Sequence, residues 1–375
     1  MGVVMDMVKA AVFEKANEPL KIRDFPKPTV EDNAVLAKIL TAGICGTDIH
    51  VWSGKVPWVK TPVILGHESV GVVEELGRSV TKDSMGKPLS EGDRIYWAIG
   101  ITCGRCYYCL RNSPTRCLNR KAIGLSTPSD RPPHLFGGFA EQIYLPAGTY
   151  IFKVPEDLPT LAISAVGCAG PTMIAGLENV EINLNDIVAV QGSGPIGMFG
   201  LILSMERGAL ETIMIGGPAK RLEFAKRIGA THVIDINEVR TPEERIKMVK
   251  ELTGGYGPDV VMDCTGIPSA IQEAVSMVRD GGRILEVGAY ADYGPVAVNP
   301  YFITNRQIKI VGSYSKVARH EFEFLRFMGG KWRKYPFREM VTHKFPLERI
   351  NEAFEVQRSL GGMKVVVLPH GEPST

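Results

Sequence analysis

The hydrophobic positions of this chain follow one pattern in its first part and another in its middle part. Up to about residue 155, short strand-like runs such as residues 34–40, 69–76 and 94–97 are separated by turns rich in Pro and Gly. This pattern predicts a β-rich domain of short strands. From Asp186 onward, short apolar runs alternate with stretches of helical periodicity, which is typical of parallel βαβ units.

The middle part predicts a parallel sheet flanked by helices. Its buried strands are predicted at 187–191, 212–215, 232–235, 260–263, 283–286 and 308–311. After Gly312 the alternation stops, and helices at 319–328 and 347–359 precede a last strand at 364–368. We expect this C-terminal tail to return to the first domain.

A glycine-rich segment follows the first of these parallel strands without a break and opens a predicted helix. Its residues are Gly192, Gly194, Pro195, Ile196 and Gly197, around Ser193. Glycines in this context let the backbone approach a pyrophosphate, whose negative charge the helix N-terminus favours. The segment therefore predicts a dinucleotide-binding domain. A glycine-rich turn without a ligand is the alternative.

The residues after the second parallel strand bear on the choice between NAD and NADP. An NAD site usually has an acidic residue there, which holds the ribose 2′-hydroxyl. This chain instead has Gly216 and Gly217, followed shortly by Lys220 and Arg221. Without the carboxylate a 2′-phosphate is not repelled, and Lys220 or Arg221 is available to pair with it. The sequence therefore favours NADP, unless Arg221 only caps the next helix.

Four of the seven cysteines form a metal-binding signature. Cys103, Cys106 and Cys109 recur at every third position, and Cys117 follows after a gap of seven residues. Four thiolates can surround one zinc ion tetrahedrally and leave no position for a substrate, so the predicted site is structural. The last gap is longer than in a ferredoxin iron–sulfur motif, and no recognition helix of a nucleic-acid-binding zinc module follows.

Two glycine-flanked segments in the N-terminal part contain ligand-type side chains. One segment, residues 43–50, contains Cys45, and the other, residues 66–68, contains His67. Cys and His are ligands of catalytic zinc, which keeps one position open for water or substrate. The alternative is a buried structural cysteine and a core histidine.

Composition and charge narrow the class of protein. The chain has 375 residues, of which 45% are hydrophobic and 22% charged, and its net charge is +2. This charge indicates neither a nucleic-acid partner nor an anionic membrane. No apolar run approaches the ~20 residues of a membrane span, and the N-terminus lacks the pattern of a signal peptide. We therefore expect a cytoplasmic protein whose clustered cysteines bind metal.

Over nearly its whole length the sequence resembles the zinc-containing, medium-chain alcohol dehydrogenases. The two glycine-flanked segments, the four-cysteine lobe and the glycine loop occur in the family's order and spacing. The resemblance implies an α/β fold with a doubly wound Rossmann domain at residues 170–312 and a β-rich, GroES-like catalytic domain. The catalytic domain would comprise residues 1–169, with the structural zinc lobe at 97–120, and residues 313–375.

The resemblance also implies the ligands of the catalytic zinc. In the family these are a Cys, the His of a Gly-His-Glu motif and a third residue just before the coenzyme domain. Cys45, His67 and Cys168 occupy these positions. Thr172 follows Cys168 as in family members with a Cys at this place, and we expect it on the cofactor side. Glu68 resembles the family's additional carboxylate, which approaches the metal during ligand exchange.

Further roles follow from the same resemblance. Thr47 would hydrogen-bond the substrate hydroxyl, His50 would pass its proton to solvent through the cofactor ribose, and Asp48 would orient His67. Polyol and threonine dehydrogenases of the family usually have Glu in place of Cys168, so the sequence favours a simple alcohol dehydrogenase.

The expected activity is hydride transfer between a small-molecule alcohol and its aldehyde or ketone, with NAD or NADP. Two zinc ions per subunit and a homodimer or homotetramer are expected from the resemblance. A polyol, sugar or amino-alcohol dehydrogenase of the same family is the first alternative. A zinc-stabilised NAD(P)-binding protein without catalysis is the second.

Overall fold

The computed structural model describes residues 6–373. The first five residues of the N-terminal segment, in which we expect no signal peptide, lie outside this range. The chain forms two compact units. One comprises the residues up to Cys168 together with those from Lys316 onward, and the other is Ala169–Ser315.

The N-terminal part of the first unit consists mainly of short strands. These are β1 (Met7–Phe13), β2 (Lys21–Pro26), β3 (Val35–Ile44), β4 (Val63–Ile64), β5 (Glu68–Leu76), β6 (Arg94–Trp97), β7 (Gly100–Ile101), β8 (Lys121–Ala122), β9 (Gln142–Leu145) and β10 (Ile151–Lys153). The helices of this part are α1 (Gly46–Trp52), α2 (Tyr107–Leu110) and α3 (Thr160–Val166), with a 3₁₀ turn at Pro114–Arg116. The β-rich pattern expected before residue 155 is thus observed.

The second unit alternates helices and strands. Its helices are α4 (Ala169–Asn179), α5 (Pro195–Glu206), α6 (Ala219–Arg227), α7 (Pro242–Leu252), α8 (Ala270–Met277) and α9 (Pro300–Asn305). Its strands are β11 (Ile187–Gln191), β12 (Glu211–Gly216), β13 (His232–Asp235), β14 (Val260–Asp263), β15 (Arg283–Glu286) and β16 (Lys309–Gly312).

The strands of the second unit form a parallel sheet in the order β13-β12-β11-β14-β15-β16. Sequence order runs outward from β11 in both directions, which is the doubly wound arrangement of a dinucleotide-binding domain. Ala189, Ile213, Val261 and Ile284 come from neighbouring strands and are fully buried in one core cluster. Strands buried on both faces read as continuous apolar runs, and the predicted fold class is confirmed.

The C-terminal tail completes the first unit. It contains α10 (Ala318–Lys331), α11 (Phe337–Met340), a 3₁₀ turn at Leu347–Arg349, α12 (Ile350–Arg358), and the strands β17 (Val341–Phe345) and β18 (Lys364–Val367). β18 pairs with β3 in antiparallel fashion and with β17 in parallel fashion.

One sheet of the first unit carries the chain segments that matter below. In the described residues its order is β10-β6-β5-β3-β18-β17, and β9 also pairs with β3. Gly43 of β3 lies opposite Glu68 of β5 on one side and opposite Val366 of β18 on the other. The ends of three strands that are distant in sequence therefore meet around Gly43.

Between residues 6 and 373, no single helix is long and apolar enough to cross a membrane. One bent pair, α3 with α4, passes that test by combined length and composition. All residues of α3 and the first nine of α4 are buried.

Candidate active site

The segment 43–50 folds as the end of β3 followed by α1. Cys45 precedes the helix, and its extended backbone (φ −98°, ψ 159°) turns the chain into the first helical turn. The Asp48 carboxylate reaches back, and its Oδ2 accepts a 2.8 Å hydrogen bond from Cys45 N. A side chain that satisfies the free amide before a helix fixes the helix start. Asp48 therefore holds Cys45 in place.

His67 and Glu68 lie where the chain enters β5. Gly66 precedes them with a φ of +91°, and a Cβ there would come within 2.7 Å of Phe139 N, so a side chain does not fit. His67 and Glu68 are both buried. The register of β3 and β5 brings them next to the end of β3, where Cys45 follows.

Cys168, which follows α3 at the end of the N-terminal part of the first unit, completes the cluster. Its sulfur and one potential ligand atom from each of Cys45, His67 and Glu68 all lie within 4.8 Å of one another. The structure therefore brings together four residues that the sequence singled out, although they are spread over more than 120 positions of the chain.

The two thiols of the cluster ionise differently. The hydrogen bond with Cys45 lowers the pKa of Cys168 well below its usual value, and the charges of Lys316 and His67 assist while burial opposes. The same hydrogen bond, together with burial, raises the pKa of Cys45 well above its usual value. Of the two thiols, Cys168 is therefore the one whose surroundings favour the thiolate, and a thiolate is the form that binds metal.

The ring of His67 lies beside the buried carboxylate of Asp48. The distance from His67 Nδ1 to Asp48 Oδ1 is 3.4 Å, and among the described residues neither atom has a hydrogen-bond partner. Burial lowers the pKa of His67, but the charges of Asp48 and Cys168 outweigh it and raise the pKa to about 10. Groups that favour a proton on this ring also favour a cation. With Nδ1 facing Asp48, Nε2 is the nitrogen left for a metal.

Glu68 forms an ion pair with a buried lysine that sequence reasoning missed. Lys364 Nζ forms an ion pair with Glu68 Oε2, and the two side chains are 3% and 2% exposed. Burial raises the pKa of Glu68, and the charge of Lys364 opposes that shift. A Cβ on Gly43 would come within 2.6 Å of Lys364 Cε and 2.7 Å of Glu68 Oε2. Glycine at position 43 therefore makes room for the pair.

The donor atoms of this cluster fit a zinc ion. Sulfur, imidazole nitrogen and carboxylate oxygen are the donor types that zinc binds in proteins. The ionised Cys168 and the buried Asp48 supply the negative charge that a cation requires. An ion held by Cys45, His67 and Cys168 has three protein ligands, the number typical of a catalytic site.

Thr47 and His50 lie on α1, half-buried, and three residues apart. Residues at this spacing share one side of a helix, and this side differs from the side of Asp48. Burial lowers the pKa of His50. His50 is therefore neutral near pH 7 and able to accept a proton.

The four-cysteine lobe also has the geometry of a metal site. The sulfurs of Cys103, Cys106, Cys109 and Cys117 all lie within 4.8 Å of one another, and the Cys106–Cys109 and Cys103–Cys117 pairs are 3.5 Å apart. Zinc–sulfur bonds of ~2.3 Å in a tetrahedron place sulfurs about 3.8 Å apart. A backbone hydrogen bond from Arg105 and the amide of Asn119 lower the pKa of Cys103 to about 6.

The glycine loop of the second unit has the shape of a phosphate cradle. Gly192 has a φ of +101°, and a Cβ on Gly197 would lie 1.8 Å from Gly192 O, so the fold itself requires these two glycines. Gly194 precedes α5, and a Cβ there would meet no protein atom within 4 Å. α5 begins with Pro195, which has no N–H, so the free backbone amides at its N-terminus start with Ile196. The open approach at Gly194 fits a bound pyrophosphate.

The end of β12 holds the residues expected to decide the cofactor. Ser193 Oγ donates to Gly217 O at 2.8 Å, and a Cβ on Gly216 would lie 2.6 Å from that hydroxyl. Lys220 is exposed, whereas Arg221 is only 8% exposed. Of the two basic residues predicted for a 2′-phosphate, the exposed one is therefore Lys220.

A carboxylate that sequence reasoning missed lies beside this position. Asp235 ends β13 and is the register neighbour of Gly216. A Cβ on Gly217 would be 3.5 Å from Asp235 Oδ1. That oxygen accepts hydrogen bonds of 2.8 and 2.9 Å from Asn237.

Thr172, the remaining predicted cofactor residue, is buried within α4.

Comparisons with known proteins agree with both units. The sequence profile of the family described as "Alcohol dehydrogenase GroES-like domain" matches residues 31–156, and that of "Zinc-binding dehydrogenase" matches residues 195–328. L-threonine 3-dehydrogenase of Bacillus licheniformis is 31% identical and aligns with 97% of this chain and 100% of its own. 5-exo-hydroxycamphor dehydrogenase of Pseudomonas putida is 29% identical, with 97% and 99% covered.

Solved structures give the same result. An alcohol dehydrogenase of Thermotoga maritima superposes with a TM-score of 0.92 at 32% identity and covers 97% of this chain and 100% of its own. A zinc-binding dehydrogenase of Sinorhizobium meliloti, determined bound to NADP, has a TM-score of 0.84 at 25% identity, with 97% and 100% covered.

A metal-binding β unit and a doubly wound dinucleotide-binding unit in one chain define a zinc-dependent dehydrogenase that uses a nicotinamide cofactor. The chain belongs to the zinc-binding alcohol dehydrogenase family. It is an oxidoreductase that acts on CH–OH groups, as predicted, and the predicted family is confirmed.

Proposed function

We propose that Cys45, His67 and Cys168 hold the zinc at which a small-molecule alcohol is oxidised to its aldehyde or ketone. The observation that supports this most is the cluster itself, in which ligand atoms of these residues and Glu68 lie within 4.8 Å. A zinc ion held there would act as a Lewis acid on the substrate hydroxyl, while a nicotinamide cofactor takes the hydride. The four-cysteine lobe holds a second, structural zinc in this proposal.

The chain's own residues bind, orient and move the proton. Thr47 hydrogen-bonds the substrate hydroxyl, and neutral His50 on the same side of α1 takes the proton onward. Asp48 fixes both the Cys45 backbone and the His67 ring, so one buried carboxylate orients two ligands. Lys364 keeps Glu68 charged and in place at the edge of the cluster.

The third proposed zinc ligand, Cys168, bears on the substrate class. The names of the relatives include alcohol, hydroxycamphor, threonine and sorbitol dehydrogenases. Because position 168 is a cysteine, we favour a simple primary or secondary alcohol over a polyol or an amino alcohol. A polyol, sugar or amino-alcohol substrate is the second candidate, which the names of several relatives favour.

A substrate panel tests the function and separates these candidates. Primary, secondary and aromatic alcohols, sorbitol and L-threonine are oxidised with NAD and with NADP, and zinc per subunit is measured. We expect turnover on simple alcohols, and at least a 100-fold loss, with about one zinc fewer, for Cys45→Ser. Cys264→Ala is the matched control, because Cys264 lies outside both clusters. Undiminished turnover of Cys45→Ser would overturn the proposed ligand, and turnover of sorbitol or threonine alone would support the second candidate.

For the cofactor we propose a preference for NADP. No acidic residue ends β12, and Lys220 is exposed at the start of α6. Asp235 acts in the opposite direction, because its carboxylate lies beside Gly217 and would repel a 2′-phosphate.

Two variants measure the separate effects of the Lys220 and Asp235 charges on cofactor preference. Lys220→Ala should lower the ratio of kcat/KM for NADP to that for NAD, and Asp235→Asn should raise it. One charge at this position changes the ratio by roughly 10-fold if it is worth about 1.4 kcal/mol. Lys226→Ala, on the last turn of α6, is a control that should leave the ratio unchanged. A wild-type enzyme that prefers NAD would refute the NADP proposal, whatever the two variants do.

We also propose that the chain is a homodimer or homotetramer. In the described part of the chain, β16 lies at the edge of the parallel sheet. Its residue Ile310 and the nearby Tyr301 and Phe302 are exposed apolar side chains. An exposed strand edge with apolar neighbours is suited to pairing with a second copy. A monomer by light scattering, at concentrations used for catalysis, would refute this.

A further inference from the structure

A second buried lysine contacts a proposed metal ligand directly. Lys316 Nζ lies 2.7 Å from Cys168 Sγ and 3.5 Å from Cys168 O. Lys316 is only 3% exposed. Both residues belong to the first unit, one at the end of its N-terminal part and the other at the start of its C-terminal tail. The family resemblance gives no role to Lys316.

A buried ammonium needs opposite charge, because desolvation of an unpaired cation is costly. The Cys168 sulfur lies within hydrogen-bond distance of Lys316 Nζ, and the charge of Glu321 acts on the lysine from farther away. Glu321 lies in the first turn of α10, where the helix N-terminus favours a negative charge. It is 1% exposed. The direct partner of the lysine is therefore the Cys168 sulfur.

Glu321 is itself held by Tyr96. The Tyr96 hydroxyl hydrogen-bonds to Glu321 Oε2 and lies 2.7 Å from Gly167 O, the residue before Cys168. The Tyr96 ring packs against Phe324 of the same helix, with ring centroids 5.7 Å apart. Glu321 Oε1 has no hydrogen-bond partner in the described residues. Tyr96 thus connects Glu321 of α10 to the residue that precedes Cys168.

We propose that Lys316 is a positioning residue that donates a hydrogen bond to the Cys168 thiolate and thereby makes the zinc held by that sulfur a stronger Lewis acid. This inference rests on the proposed function, since it requires that Cys168 is a zinc ligand.

The physical consequence concerns the electron density of the sulfur. An N–H donor and a positive charge at 2.7 Å stabilise the lone pairs of a thiolate, so the sulfur gives less charge to the metal. A metal that receives less charge from its ligands polarises a substrate hydroxyl more strongly. Removal of Lys316 should therefore lower turnover without removing the metal. Changes in groups that support metal ligands typically cost about 10–100-fold.

Cobalt in place of zinc gives a direct readout of this sulfur. The sulfur-to-cobalt charge-transfer band moves to longer wavelength when the sulfur lone pairs are less stabilised. We expect this red shift in Lys316→Met, together with a kcat about 10-fold lower or more and two bound metal ions. The four-cysteine lobe is the same in both proteins, so the difference spectrum reports on Cys45 and Cys168.

Lys364→Met is the matched control for loss of a buried positive charge. Lys364 is as buried as Lys316, but its partner is a Glu68 oxygen rather than a sulfur. Its variant should give a smaller band shift. Lys316→Gln keeps an N–H donor without the charge and should give an intermediate band. An unshifted band in a cobalt-loaded Lys316→Met, or equal shifts in the two Lys→Met variants, would overturn the proposal.

Two further results keep the test decisive. If neither Lys316 variant folds with cobalt, the wild-type crystal structure with zinc decides, because the proposal requires the Nζ–Sγ contact to persist. A lysine that has moved out of hydrogen-bond reach would overturn it. If wild-type protein binds metal only in the four-cysteine lobe, the proposed function itself fails. If wild-type protein is an active, fully loaded enzyme and the band does not shift, only the Lys316 inference fails.

Discussion

Substitution of Lys364 by methionine should destabilise the protein more than any surface charge change. Lys364 pairs with Glu68, and both side chains are almost completely buried. Methionine keeps the length of the side chain but leaves the Glu68 carboxylate without its cation. Removal of one partner from a buried ion pair costs about 3–5 kcal/mol, because the remaining charge stays desolvated.

The cost should depend on pH in a defined direction. Burial already raises the pKa of Glu68, and Lys364 opposes that shift, so the pKa rises further in the variant. A carboxyl group whose folded-state pKa is raised destabilises the fold above its unfolded value, near pH 4.5. The loss of stability should therefore be small at pH 5 and reach its full size at pH 8.

Tryptophan fluorescence during urea unfolding measures this loss of stability in the first unit, to which Lys364 and Glu68 belong. All four tryptophans, Trp52, Trp58, Trp97 and Trp332, lie in the first unit. Lys344→Met is the matched control, since Lys344 pairs with Glu372 in an exposed position and should cost at most about 1 kcal/mol. Proteins are compared at equal zinc content. A loss for Lys364→Met no larger than that of the control, or one that grows toward low pH, would refute the reasoning.

The other predictions concern different parts of the chain. Glu286→Gln should stabilise the protein at pH 8 and not at pH 4.5, because burial and the neighbouring Asp263 raise the pKa of Glu286 to about 7. Partial exposure of Glu286 limits the gain in stability to about 1 kcal/mol. Calorimetry at both pH values measures this gain. Gly194→Ala should weaken cofactor binding at least 10-fold, as measured by fluorescence titration. The melting temperature should stay nearly unchanged, since a Cβ at position 194 meets no protein atom. Unchanged cofactor affinity would argue against a pyrophosphate at this loop. Cys106→Ser should release about one zinc per subunit and lower the melting temperature, because metal binding at a four-cysteine site contributes directly to folding; full zinc content would refute the structural site.

Much of the second unit was predictable because its central strands are short and largely buried apolar runs. The runs 187–191, 232–235, 260–263 and 283–286 were predicted with the boundaries that are observed. They are short apolar segments between turn signals, and that local pattern suffices. The helices α3 and α4 were not predicted. Their residues are buried almost all round, so no polar face marks a helical period.

The clustering of the cysteines and His67 was predictable because their residue types and spacing are specific. The residues that support them were not. Lys364 contacts Glu68 across 296 positions, Lys316 contacts Cys168 across 148, and the Tyr96–Glu321 contact spans 225. Only the folded sheet and the returning tail create these neighbours. A lysine at the start of an apolar strand was the one local signal, and a strand-end lysine is usually exposed.

The most direct test of the central claim is anomalous diffraction at the zinc edge from crystals of the native protein. The account predicts two peaks per subunit. One should lie between Cys45 Sγ, His67 Nε2 and Cys168 Sγ, at about 2.0–2.3 Å from each ligand atom, and the other within the four-cysteine lobe. A single peak in the lobe, with an active enzyme in solution, would contradict the claim that this chain oxidises alcohols at a zinc held by Cys45, His67 and Cys168.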